Sequence, residues 1–202
     1  MASPFSTPEQ RAEERSAKRQ AVLRAAVRMF NERGFHATLL EDVAASLGVS
    51  KPTIYHYLGN KEQVLLECVA IGLQQFLEAA DEAHRAPGSG LDRLRHFLTA
   101  YAQVNMDDFG RCVIRTGPEA LSPEGAQSLR ERKRRIDAAM RGFIEEGMAD
   151  GSIARTDPKL LAFTLAGALN WPARWHVAGG ELSPKQIAGQ MVDILTAGLA
   201  PR

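Results

Sequence analysis

Cysteine is scarce in this chain of 202 residues: Cys68 and Cys112 are the two, far apart and without a Cys or His neighbour at zinc-ligand spacing. That excludes a disulfide framework and a zinc knuckle, and points to a reduced protein. The five histidines (His36, His56, His84, His96, His176) form no HxxxH or HExxH pair, so no metal site is expected. A GxSxG elbow, a Gly-rich phosphate loop and an acid pair in an apolar setting are also missing, so no catalytic residue, no cofactor and no enzyme activity are expected. No apolar run approaches the roughly 18 to 20 residues needed to span a bilayer. The opening stretch MASPFSTPEQ lacks the apolar core of a signal peptide. These absences predict a soluble, cytoplasmic protein with no membrane partner. An excess of one charge is lacking too: 25 Lys and Arg stand against 24 Asp and Glu, for a net charge of +1.

What is present is helical periodicity. Strand signals are almost absent, and apolar residues recur at helical spacing between breaks of Gly, Pro and Ser. Residues 1–14, with Pro4 and Pro8, read as a flexible arm. A first helix is expected from about Arg15 to Arg33, with Leu23, Ala26, Val27 and Phe30 on one stripe and Gly34 at its end. This segment is locally basic: Arg11, Arg15, Lys18, Arg19, Arg24, Arg28 and Arg33 stand against Glu13, Glu14 and Glu32. Thr38 and Glu41 have the spacing of a capping box opening a second helix. Its buried face is Leu40, Val43, Ala44 and Leu47. Gly48 then supplies a turn that a side chain would obstruct, and Ser50 caps a third helix, KPTIYHYL, ended by Gly59 and Asn60. A fourth helix is expected from Lys61 to His84. Beyond the break RAPGSG come helices at about Leu91–Asn105, Pro123–Ala149, Pro158–Val177 and Ser183–Leu199, with an irregular piece around Phe109–Ala120. The fold class is all-α, with about nine helices: a three-helix head at 15–61 and a larger helical body at 62–202.

The stretch Ala44 to Ile54 meets the needs of a helix-turn-helix. A small residue stands at the helix crossing (Ala44), a glycine in the turn (Gly48) and an apolar anchor in the second helix (Ile54). The other face of that second helix offers Lys51, Thr53, Tyr55, His56 and Tyr57, all able to donate hydrogen bonds to phosphates or base edges. Carboxylates are absent from Val49 to Asn60. Lys61, opening the next helix, suits a phosphate. An all-α enzyme or binding protein with a purely architectural helix-turn-helix is the competing reading.

The run GFHATLLEDVAASLGVSKPTIYHYLGNKEQVL resembles the signature of the TetR family of bacterial regulators. The resemblance rests on Gly34-Phe35, Ala37-Thr38, Asp42-Val43-Ala44, Gly48-Val49-Ser50, Tyr55-His56-Tyr57 and Asn60-Lys61-Glu62. Leu39 departs from it, since the family usually has Ser or Thr there. The resemblance implies a homodimer with its two heads in successive major grooves of a palindromic operator, about 34 to 36 Å apart. It also implies a small effector in the body that changes the separation of the heads, most members being repressors released by ligand. An activator or a ligand-independent regulator of the same fold is the alternative. Carried over by position, Thr38, Lys51, Pro52, Thr53, Tyr55, His56, Tyr57 and Lys61 would face DNA.

In the body, Trp171 and Trp175 are four apart and would share a helix face with Asn170 and Arg174 nearby. Ala162, Ala166, Gly167 and the aliphatic positions Ile187, Met191, Ile194, Leu195 and Leu199 suit a self-complementary dimer interface of the last two helices. Asn-Trp-x-x-Arg-Trp followed by Gly-Gly-x-Leu-Ser-Pro resembles a branch of the family that controls lipid catabolism. Several members of that branch respond to acyl-coenzyme A thioesters. Such an effector needs an apolar tunnel and guanidinium groups for its phosphates. The expected effector residues are Phe97, Tyr101, Phe109, Met140, Phe143, Asn170, Trp171 and Trp175, with Arg174, Arg111, Arg115 or the run Arg130, Arg132, Lys133, Arg134, Arg135 as the cations. The competing reading of that run is a solvated helix face.

Overall fold

Thr7 opens the first helix with a reciprocal cap. Its hydroxyl accepts from Gln10 N at 3.2 Å, and its own N–H donates to the Gln10 side chain at 2.9 Å. Pro8 follows in the first turn, where a missing N–H costs nothing. Helix α1 therefore runs Pro8–Arg33, well before the expected start near Arg15. The structure, a computed structural model, describes residues 7–197; the expected arm falls partly outside these, and its part from Pro8 onward is helical. The chain divides into two compact units at Cys68/Val69. Every regular element among the described residues is helical.

The first unit is built from α1, α2 (Leu40–Ser46), α3 (Lys51–Leu58) and the first residues of α4 (Lys61–Arg85). Leu23, Ala26, Val27 and Phe30 of α1 pack with Leu40, Val43 and Ala44 of α2, Ile54 and Leu58 of α3, and Val64, Leu65 and Cys68 of α4, all buried. Two turns depend on glycine. Gly48 joins α2 to α3 at φ +63° and Gly59 joins α3 to α4 at φ +70°, where a side chain is disfavoured. At Gly48 a Cβ would meet nothing within 4 Å, so backbone handedness and not obstruction selects glycine. Asn60 and Gln63 exchange side-chain-to-backbone hydrogen bonds of 2.9 Å each and cap α4.

The second unit holds the rest of α4, α5 (Gly90–Met106), α6 (Asp108–Arg115), a 3-10 turn at Pro118–Ala120, α7 (Pro123–Ala149), α8 (Pro158–Asn170), α9 (Pro172–Trp175) and α10 (Pro184–Thr196). Helix α5 is central, packed on α6, α7, α8, α9 and α10. Its start lies so close to the end of α7 that a Cβ on Gly90 would fall 2.2 Å from Gly147 N. Asp150 and Ser152 accept from the N–H groups of Gly90 and Leu91 at 2.6 and 3.0 Å, satisfying donors that no helical carbonyl can reach.

Two expectations are corrected here. The piece around Phe109–Ala120 is mostly helix: Asp107 caps α6 through Phe109 N, at 3.2 Å. The expected helix Pro158–Val177 breaks at Trp171, because Pro172 has no N–H and its ring crowds the carbonyl four residues back. Leu199 lies outside the described residues. No helix among the described residues is long and apolar enough to cross a membrane.

Candidate nucleic-acid interface and effector cavity

Ile54 and Leu58, one turn apart, anchor α3 in the core of the first unit. Their burial turns Lys51, Pro52, Tyr55 and His56 outward, with Lys51, Pro52, Tyr55 and His56 exposed and Thr53 and Tyr57 half-buried at the flanks. The result is a short helix with a solvated face of hydrogen-bond donors and no carboxylate. A carboxylate does sit beside it. The Lys51 ammonium lies 2.5 Å from Glu41 on α2 and 5.8 Å from the centre of the Tyr55 ring. This hydrogen-bonded pairing holds the Glu41 carboxyl below its ordinary range and the Lys51 ammonium above its own. The Thr53 and Ser50 hydroxyls share a hydrogen bond of 2.8 Å, so Ser50 stands at the cap position of α3 without capping it through its side chain.

Lys61 reaches across to the loop before α2. It donates to His36 O at 3.1 Å and sits 4.5 Å from the centre of the Phe35 ring, a cation–π distance. Partial burial lowers its pKa. An ammonium has three donors, so further bonds to an external oxygen are compatible with this pose.

Thr38 is a correction. Its residue is fully buried, and its hydroxyl donates to Met29 O at 3.2 Å and Gly34 O at 2.9 Å. Leu39 holds the cap position of α2, without a side-chain hydrogen bond, and Glu41 turns to Lys51 instead of back to Thr38. The local pattern of a capping box is overruled because the buried hydroxyl is better satisfied by two part-buried carbonyls. Thr38 thus staples α1 to the following loop and offers no side chain to a phosphate.

In the second unit a cavity of about 210 Å³ opens between α4, α5, α6, α7 and α8. Phe76, Val113, Ile114, Ile136, Met140 and Phe163 give it apolar walls, and Ala166 leaves room. Tyr101, Asn170, Lys133 and Asp137 are its polar residues. The Tyr101 hydroxyl donates to Asn170 Oδ1 at 2.8 Å, and burial pushes its pKa up to about 12, so it stays a neutral donor. Asn105 Nδ2 donates to Leu169 O at 2.9 Å behind this pair. Asp137 is paired with Arg141 at 2.5 Å, while burial pulls the Lys133 ammonium below its usual range.

Of the expected effector residues, Tyr101, Met140 and Asn170 line this cavity. Phe97, Phe109 and Phe143 are buried and serve as core, Phe97 packing 5.7 Å from Tyr101 and 5.5 Å from Phe143. Trp171 stands at the break between α8 and α9 and Trp175 closes α9, and they are 65% and 46% exposed. Arg115 is exposed; burial, then the nearby guanidinium groups of Arg174 and Arg111, pull its pKa down. That mutual influence brings three arginines from α6 and α9 into one neighbourhood. Sequence reasoning missed Phe76 and Phe163, and offered Lys133 only within its basic run. Lys133 alone of the run 130–135 turns inward, and the signal was its place three before Ile136 on the buried stripe of α7.

Among the described residues no His, Cys, Asp and Glu group could hold a metal ion. A helix-turn-helix head with a donor-rich outer face, followed by an all-helical body enclosing a cavity, defines a DNA-binding transcriptional regulator. Residues 22–68 match the family model "Bacterial regulatory proteins, tetR family", and residues 87–199 match "Tetracyclin repressor-like, C-terminal domain". The chain belongs to the TetR family, a family of transcriptional regulators and not of enzymes. It is 28% identical to the HTH-type transcriptional repressor KstR2 of Rhodococcus jostii, over 92% of this chain and 93% of that one. A TetR/AcrR-family regulator from Thermobifida fusca is 31% identical in its crystal structure, with a TM-score of 0.67 over 90% of this chain and 98% of that one. The fold is also that of AibR in complex with isovaleryl coenzyme A and operator DNA, at a TM-score of 0.77 and 24% identity over 87% of this chain and 96% of that one.

Proposed function

We propose that this chain is a homodimeric repressor that binds a palindromic operator and leaves it when an acyl-coenzyme A thioester fills the body. The observation that carries the reading is the outer face of α3. Lys51, Pro52, Tyr55 and His56 stand exposed on a helix held from behind by Ile54 and Leu58, a geometry that fits a major groove. Thr53 and Tyr57 reach the rims of that groove, and Lys61 adds a phosphate contact from α4. The functional head spans residues 15–61 and the effector and dimerisation body 62–202. KstR2 is a repressor by name, which favours repression over activation here.

Dimerisation uses α8 and α10, the two long helices at the end of the chain. Leu160 and Phe163 on α8, Trp171 beyond it, and Ile194 on α10 expose large apolar surfaces, Ile194 at 76%. A second copy would cover them. Ile187, expected at this interface, is core instead. The effector's acyl group enters the cavity, whose small volume favours a short or compact chain. Its thioester oxygen meets Lys133 or Tyr101, and the Arg111, Arg115 and Arg174 group takes coenzyme A phosphates. AibR, a protein of this fold, is in complex with isovaleryl coenzyme A and operator DNA in its crystal structure, which supports an acyl-coenzyme A thioester as the effector class.

The test is fluorescence anisotropy on duplex DNA from beside the gene, with and without acyl-coenzyme A of graded chain length. Tight, salt-sensitive binding that a short-chain thioester abolishes is expected. Binding indifferent to every thioester would discard the effector and keep the regulator. Failure to select any duplex from a random pool would overturn the whole reading.

A further inference from the structure

The first three turns of α1 bury no side chain. Residues 7–18 are all exposed, and the apolar stripe begins only at Val22. A polar helix of this kind gains little from its own core side, and isolated short helices are marginal in water. Its charges are nevertheless sorted. Arg11, Arg15 and Arg19 recur every four residues, and Lys18 lies beside them, three after Arg15. Glu9 and Glu13 fall on the far side and Glu14 on the flank. Like charges four apart weaken a helix by a few tenths of a kcal/mol per pair, roughly. A purely structural helix has no reason to carry such a ladder.

One rung shows where the ladder points. Arg19 forms an ion pair with Glu67 of α4, and its Nε donates to Tyr57 O at 3.4 Å, at the last turn of α3. The stripe therefore starts at the end of the reading helix and continues outward along α1. Arg11, Arg15 and Lys18 have no ion pair or hydrogen-bonding side-chain partner among the described residues. The overhang lacks the Leu, Phe or Trp that an interfacial helix would bury in a membrane. From Pro8 to Lys18 it extends about 16 Å, long enough to follow several consecutive phosphates.

We infer that Arg11, Arg15 and Lys18 form a second DNA-contacting surface, which lies on the phosphate backbone flanking the groove read by α3. It supplies affinity and salt dependence without base discrimination. This inference rests on the head being a DNA reader.

The experiment compares the full-length protein with R11Q/R15Q/K18Q on its operator over a salt series. Glutamine keeps helix propensity close to that of Arg and Lys. Each phosphate no longer neutralised takes about 0.9 off the slope of log K against log salt, so six cations per dimer would make it shallower by up to about five. Discrimination between operator and mutated half-site should stay unchanged. R11Q alone, at an exposed site, should lower the slope by up to about two and covers the case in which the triple variant loses helix. An unchanged slope in both variants overturns the inference while leaving the reader intact. So does an equal change in the control E9Q/E13Q, which would mark a general charge effect. If the parent itself binds no duplex with salt sensitivity, the proposed function falls and this inference with it.

Discussion

Lys51 of α3 and Glu41 of α2 close the helix-turn-helix across its turn, with ammonium and carboxylate 2.5 Å apart. The pair lies on the face proposed to meet DNA, where a phosphate would compete with Glu41 for Lys51. Replacing Glu41→Gln removes the competitor and one negative charge from the interface. Operator affinity should rise by up to about fivefold at low salt, and the gain should fade as salt screens it. K51A should lose affinity under the same conditions. Equal binding by E41Q and parent in an anisotropy titration would mean that Lys51 stays with Glu41 in the complex.

Thr38→Val keeps the shape of a buried side chain and deletes its hydroxyl. Two carbonyls, Met29 O and Gly34 O, lose a donor. Chemical denaturation should show a loss of about 1–2 kcal/mol. DNA affinity of the folded fraction should match that of the parent, because the side chain reaches no solvent. A selective loss of affinity without loss of stability would contradict the structural role.

Three glycines separate handedness, close approach and simple flexibility. Gly48→Ala meets open space but keeps φ +63°, and should cost about 1–2 kcal/mol. Gly90→Ala drives a Cβ to 2.2 Å from backbone of α7 and should cost more than about 2 kcal/mol. Gly142→Ala, within α7 and with nothing inside 4 Å, should stabilise by up to about 1 kcal/mol. Thermal melts of the three variants check the order, and destabilisation by G142A would contradict it.

His176 packs as a neutral ring. It is buried, and Arg111 donates to its Nδ1 and to its carbonyl oxygen, each at 3.1 Å. Burial and then the Arg111 charge lower its pKa from 6.5. The unfolded chain therefore takes up the proton first as pH falls. Stability should decline from about pH 6.5 down to the folded pKa and change no further below it on this account. H176Q, whose carbonyl can still accept from Arg111, should remove that component. Parallel pH profiles of stability for parent and variant between about pH 5 and 7 would refute the assignment.

Much of the head was legible in order. Gly48 and Gly59 announced turns by composition, Ile54 announced the anchor, and the resulting period placed Lys51, Tyr55 and His56 outside. These rules are local, acting over one or two helical turns. Pro172 was legible as a perturbation, and the structure shows that the helix breaks there instead of kinking. The start of α1 was misplaced because Pro8 and the small polar residues around it read as a loop, whereas Thr7, Pro8 and Gln10 are together a helix start.

The amino-acid sequence by itself determined most of the helices, the turn glycines, the exposed face of α3 and the family, because each follows from residue type and spacing along the chain. Tertiary structure alone decided the partners. Thr38 went to two carbonyls instead of its own helix cap, Glu41 went to Lys51, and Lys133 turned inward while its basic neighbours faced water. It also chose Phe76, Phe163 and Ala166 to line the cavity and sent Phe97 and Phe143 to the core. The reason is physical: a hydrogen bond, an ion pair or a cavity wall depends on which distant segment is brought within a few ångströms, and linear spacing carries no record of that.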